Sequence, residues 1–147
     1  MVATPRSGSV ASVDTSPETL APVTPFRLLG EDEAIIRRVV DRFYDLMDEE
    51  PAYALLRGMH AKDLGPMRDR LTWWLTTWLG GPPRYQEHTG GGVCITAAHK
   101  PFPIDADARD QWLHCMRRAL VEAGTPDTVR QMVDGPLAGV AEFLRNC

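Results

Sequence analysis

Four side chains able to do chemistry stand far apart in the chain: Tyr44, His60, His99 and Trp112. His99 follows Thr96-Ala97-Ala98 and precedes Lys100-Pro101-Phe102-Pro103-Ile104. An imidazole at the end of a short helix offers one metal ligand, and a proline-flanked phenylalanine offers a stiff apolar wall. A tryptophan on the inner face of the next helix adds an N–H donor. Each of these residues also has an ordinary structural use. A lone histidine is more often a hydrogen-bonded structural group than a ligand, and a tryptophan at helical spacing is more often core.

The 147 residues suffice for one domain and one core. A formal net charge of −4, with basic residues scattered, gives no footprint for a phosphate backbone, so no nucleic-acid partner is expected. No apolar run approaches the roughly 20 residues that cross a bilayer. The N-terminus lacks the charged start and apolar middle of a secretory signal, and a cytoplasmic, membrane-free protein is the default expectation. Cys94, Cys115 and Cys147 are odd in number, widely spaced and without a C-x-x-C pair, which argues against a disulfide framework or a zinc site.

The elements that must position the four residues read as all-α. Residues 1–25 hold four prolines among small polar residues and are expected to be a disordered tail before a domain spanning 26–147. A first long helix is predicted from Gly30-Glu31-Asp32 through Ala34, Ile35, Val39, Phe43, Leu46 and Met47 to Pro51. Pro51 to Lys62 reads as a corner. A second helix begins at Asp63 and carries Leu64, Met67, Leu71, Trp74, Leu75 and Trp78 on one stripe, stopping at Gly80-Gly81-Pro82-Pro83. Trp73, Trp74 and Trp78 cannot all face inward. Arg84 to Val93, with Gly90-Gly91-Gly92, is expected to be a loop, and Cys94 to Ala98 a helical turn delivering His99. Asp105 caps a third long helix ending at Gly124, and Thr125-Pro126-Asp127 opens a fourth that Gly135-Pro136 should break or kink.

Haem iron needs only one protein ligand, a neutral imidazole nitrogen, with the opposite face free for a gas. The absence of C-x-x-C-H means that any haem is held non-covalently. Five motifs in order then carry a resemblance over about Phe26 to Leu120. They are Arg42-Phe43-Tyr44, His60-Ala61-Lys62-Asp63-Leu64, Trp78-Leu79-Gly80-Gly81-Pro82, His99-Lys100-Pro101-Phe102-Pro103-Ile104, and Arg109-Asp110-Gln111-Trp112-Leu113-His114-Cys115-Met116. In sequence and spacing the chain resembles the group II truncated haemoglobins.

That resemblance implies a truncated globin-like two-over-two helical sandwich around haem b. It implies His99 as the proximal iron ligand, its other nitrogen oriented by a carbonyl, with Tyr44 and Trp112 as donors toward a bound ligand. The corner position falls on His60 or, one residue earlier, on Met59. Met67, Leu71 and Trp74 would touch the haem from the distal helix, Met67 replacing a small or hydroxyl residue and narrowing the side entrance. Phe102 would pack beneath the haem and Ile104 beside it. Where relatives tend to place arginine just before the ligand histidine, this chain has Ala97 and Ala98, leaving Lys100 or Arg84 to pair with a propionate.

The implied function is binding of dioxygen and other diatomic ligands at a five-coordinate iron. Two strong donors slow release and suit nitric oxide dioxygenation or peroxidase-like chemistry better than oxygen carriage, with a reductase as partner and a monomer or homodimer as the assembly. A different class stays open: a non-enzymatic helical haem-sensor or regulatory module, suggested by Ala97-Ala98, Pro136 and the tail.

Overall fold

The computed structural model describes residues 22–91 and 95–147. The expected tail, for residues 1–21, the Gly92–Val93 part of the expected loop and Cys94, the first residue of the expected turn before His99, lie outside the described residues. Among the described residues every regular element is helical. In chain order they are α1 (Pro25–Leu28), α2 (Glu33–Glu49), a 3-10 turn (Pro51–Tyr53) running into α3 (Ala54–Gly58), α4 (Gly65–Trp78), α5 (Arg84–Thr89), α6 (Ile95–His99), α7 (Ala106–Glu122) and α8 (Asp127–Leu144). None of these helices is long and apolar enough to cross a membrane.

The long helices begin where short acidic side chains can satisfy orphan backbone donors. Asp32 Oδ1 accepts from Ala34 N–H at 2.9 Å, and Asp105 Oδ1 accepts from Ala108 N–H at 2.8 Å. The pairs α2 with α4 and α7 with α8 are layered through α2 and α7, which cross with the most extensive packing in the chain. This is the two-over-two arrangement. Val40, Phe43 and Leu46 of α2, with Cys115, Met116 and Ala119 of α7, are essentially inaccessible to solvent. Val129, Val133 and Leu137 of α8 close the core from the other side. Burying Phe43 alone contributes about 1.5–3 kcal/mol.

Several expectations need correction. A helix already forms at Pro25, within the stretch read as tail, because Thr24 Oγ1 caps Arg27 N–H at 3.2 Å and Phe26 N–H reaches Leu79 O at 3.0 Å. Gly81 makes that docking fit: a Cβ there would lie 2.7 Å from Thr76 O and 2.9 Å from the Phe26 ring. Helix α4 starts at Gly65 rather than Asp63, whose Oδ1 instead accepts from Gly65 N–H at 2.9 Å. Arg84 to Thr89 is a helix and not a loop, held by Arg84 between Glu33 and Glu87 and stopped by Gly90 at φ +76°. Pro136 does not break α8. It lies on the exposed face, so the Met132 carbonyl that loses its partner is on the solvent side of the helix, while Val133 and Leu137 keep the buried stripe continuous.

Candidate functional site

Tyr44 sits in the middle of α2 at 2% exposure, which puts a hydroxyl inside the domain. Its ring meets Phe43 edge-on at 5.0 Å and His60 edge-on at 5.8 Å. The Arg68 guanidinium lies over the same ring, 5.8 Å from its centre. Arg68 is itself fixed by α2, donating to Asp41 O at 3.0 Å and to Asp45 Oδ1 at 2.7 Å. Burial pushes the Tyr44 phenol well above its ordinary pKa, with the Arg68 charge opposing. The group therefore keeps its proton and can only act as a neutral donor or acceptor. Among the described residues no protein group hydrogen-bonds this hydroxyl.

His60 follows α3, where its Nδ1 stands 2.8 Å from Leu56 O. A carbonyl only accepts, so Nδ1 carries the proton and Nε2 keeps its lone pair. Burial pushes the imidazole below its ordinary pKa; the Leu56 bond opposes this, and the charges of Arg57 and His99 lower it further. Gln111 secures the corner, its Oε1 accepting from Leu56 N–H at 3.2 Å.

Trp112, half-buried on α7, contacts Phe43 edge-on at 5.7 Å. Phe43 and Tyr44 are neighbours on α2, so a chain of edge contacts links Trp112 to Phe43, Phe43 to Tyr44 and Tyr44 to His60. On α4, Met67, Leu71 and Trp74 share a face at helical spacing and are only partly buried against the core. Trp74 stacks on Trp78 at 5.5 Å, whereas Trp73 turns away to stack on His88 at 4.0 Å. The three tryptophans divide between two faces.

His99 is the last residue of α6, partly buried, with Nδ1 2.7 Å from Ile95 O. As at His60, the carbonyl makes Nδ1–H the donor, and among the described residues Nε2 is left with its lone pair as a ligand nitrogen. Ile104 is half-buried. Phe102, expected as a wall, is 41% exposed on the turn after α6. Met59 is half-buried beside His60, which holds the ring contact to Tyr44. Arg84 is not free to pair with an anionic substituent, because it forks onto both Glu33 oxygens at 2.8 and 3.2 Å. Lys100 is exposed next to His99.

Sequence reasoning passes over Arg68 and Gln111. The signal for Arg68 is the i, i+4 pair Asp41 and Asp45 on α2, an acidic stripe that needs a cation. Gln111 belongs to the Arg109 to Met116 motif, but in sequence it serves only as context for Trp112.

This donor set suits a flat cofactor whose metal arrives already coordinated. It has one imidazole with a free Nε2, a protonated phenol and a neutral imidazole near it, an indole, and half-buried apolar side chains along one helix face. Among the described residues no three His, Cys, Asp or Glu side chains cluster to hold a bare ion.

Comparison with known proteins agrees with the geometry. The family model for bacterial-like globins matches residues 24–146. The chain is 33% identical over 122 residues to the group 2 truncated haemoglobin YjbI of Bacillus subtilis (strain 168), covering 83% of this chain and 88% of that one. Among solved structures it is similar to the group II 2-on-2 haemoglobin of Agrobacterium tumefaciens, with a TM-score of 0.79 at 34% identity over 86% of this chain and 96% of that one. It is also similar to the truncated oxygen-avid haemoglobin of Bacillus subtilis, with a TM-score of 0.74 at 31% identity over 84% of this chain and 100% of that one.

Proposed function

Because the chain belongs to the bacterial-like globin family as a group II truncated haemoglobin, we propose that it holds haem b through His99 and binds dioxygen and other diatomic ligands. The observation that carries this reading is His99 itself: Nδ1 is committed to Ile95 O, and among the described residues Nε2 is left free. Bound haem supplies an iron that takes up a diatomic molecule and shifts electron density onto it.

The chain's own groups decide how tightly that molecule is held and how it reacts. Tyr44, kept protonated by burial, donates its O–H toward the ligand, and the Trp112 indole N–H adds a second donor. His60 stays neutral and offers Nε2 beside Tyr44. Met67, Leu71 and Trp74 shield that side from water, and Ile104, with Phe102 at the margin, borders the His99 side. Lys100, exposed beside His99, would pair with the acidic substituents of the cofactor.

A hydrogen bond to a charged acceptor contributes about 1.5–3 kcal/mol, which slows release by roughly 10- to 150-fold. Slow release suits a protein that retains dioxygen for reaction with nitric oxide, or that handles peroxide, and it requires a reductase to return the metal to its ferrous form. Spectra of the ferric, ferrous and dioxygen-treated protein test the cofactor directly, with a Soret band expected. The same band in a His99→Ala variant, unchanged in position and strength, would refute the assignment of His99. Rapid nitrate formation from nitric oxide and dioxygen supports the enzymatic role. Haem-dependent capture of a partner without turnover would instead mark a sensor.

A further inference from the structure

Helix α6 has five residues, too few to hold an orientation unaided. Two bonds make it one unit with the turn after it: Lys100 N–H donates to Thr96 O at 3.0 Å, and Phe102 N–H donates to His99 O at 3.0 Å. Pro101 and Pro103 bring no N–H, so the turn has few donors with which to fasten itself. The fastening comes from the segment after α8. Asn146 Oδ1 accepts from Ile104 N–H at 2.9 Å, and Asn146 Nδ2 donates to Phe102 O at 2.8 Å. The Asn146 backbone N–H donates to Ile104 O at 2.9 Å, and Cys147 N–H shares that oxygen at 3.3 Å. One residue therefore holds the N–H and C=O of Ile104 together with the carbonyl of Phe102. Glu142, one turn earlier, pairs with Arg109 near the start of α7, so the end of α8 is tied to α7 as well.

We propose that Asn146 is a positioning residue for the proximal side: it anchors Phe102–Ile104 to the end of α8 and, through the Phe102 N–H···His99 O bond, sets the orientation of the His99 imidazole. The inference rests on the reading of His99 as the iron ligand. The residue type is demanding, because the contact uses a donor and an acceptor on one planar group. Aspartate keeps the acceptor but sets an anionic oxygen against Phe102 O, and leucine keeps neither function. Each bond is exposed and modest alone. Their effect is large because the turn they hold is the covalent continuation of His99.

The test uses haem-loaded wild type, Asn146→Leu, Asn146→Asp and the control Arg145→Ala, whose guanidinium pairs with Glu142. Three readouts are taken: amide hydrogen exchange at Ile104, the rate of haem transfer to an excess of an apo-globin acceptor, and the iron–histidine stretching band of the ferrous unliganded form. In Asn146→Leu, Ile104 exchange and haem loss should each accelerate about three- to tenfold, with the stretching band shifted or broadened. Asn146→Asp should keep Ile104 protected yet lose haem faster than wild type, and Arg145→Ala should match wild type. Faster Ile104 exchange in Asn146→Leu with haem loss and band unchanged would make the anchor merely structural and overturn the proposal. Unchanged Ile104 exchange would overturn it too. If wild type itself took up no haem, the reading of His99 would fail, while Ile104 exchange would still report whether the anchor exists.

Discussion

Replacing Tyr44 by phenylalanine separates the stability of the domain from its ligand chemistry. The substitution removes one oxygen and keeps the ring, so the edge contacts at 5.0 Å to Phe43 and 5.8 Å to His60 persist. No protein hydrogen bond to that hydroxyl exists among the described residues, so folding stability should change by no more than about 0.5 kcal/mol. The loss falls on the bound ligand. A donor bond of about 1.5–3 kcal/mol, at 1.4 kcal/mol per decade, corresponds to dioxygen leaving roughly 10- to 150-fold faster. Rapid mixing of dioxygen-loaded ferrous protein with carbon monoxide, monitored at the Soret band, measures the rate, and urea denaturation measures stability. A variant destabilised by more than about 1.5 kcal/mol with an unaltered release rate would show that the hydroxyl serves the fold and not the ligand.

The same geometry sets other outcomes. His60 has a depressed folded pKa, caused first by burial, so its stabilisation is present above the ordinary value of 6.5 and is lost as pH falls below it, when the unfolded chain takes up the proton first. Denaturation of wild type between about pH 8 and pH 5 should show this fall, and His60→Gln should flatten it. Pro136→Ala restores a donor to the Met132 carbonyl in an otherwise regular helix and should raise stability by about 1–3 kcal/mol, seen as a higher denaturation midpoint. Burial pushes the Cys115 thiol up to about 12, and its Sγ faces Phe43 O at 3.3 Å. In the native protein it should resist a thiol reagent that labels exposed Cys147, and react only on unfolding.

The long helices were legible because their apolar residues recur at helical spacing: Val39, Phe43, Leu46 and Met47 all prove buried, and Asp32 and Asp105 prove to be caps. The clustering of Tyr44, His60 and Trp112 was legible only through motifs taken together, since no local pattern says that the α3 corner meets α2 at Tyr44 while α7 meets it at Phe43. Three things were hidden for physical reasons. Helix α5 has no buried stripe and is held by Arg84, whose partner Glu33 lies 51 residues away. Pro136 looked like a breaker because sequence does not show which face of α8 meets water. Asn146 carries no signal in sequence because its bonds reach 42 and 44 residues back along the chain.

Phe43 and Tyr44 are adjacent on α2 yet serve different neighbours, Phe43 reaching Trp112 and Tyr44 reaching His60. Successive side chains on a helix diverge by about 100°, so this division of labour depends on rotational phase. One residue inserted or deleted between Asp32 and Phe43 would swing both rings out of place, although composition and hydrophobicity would barely change. The Arg68 latch onto Asp41 and Asp45 would lose its register in the same step. Helix α2 therefore tolerates substitution far better than a change of length.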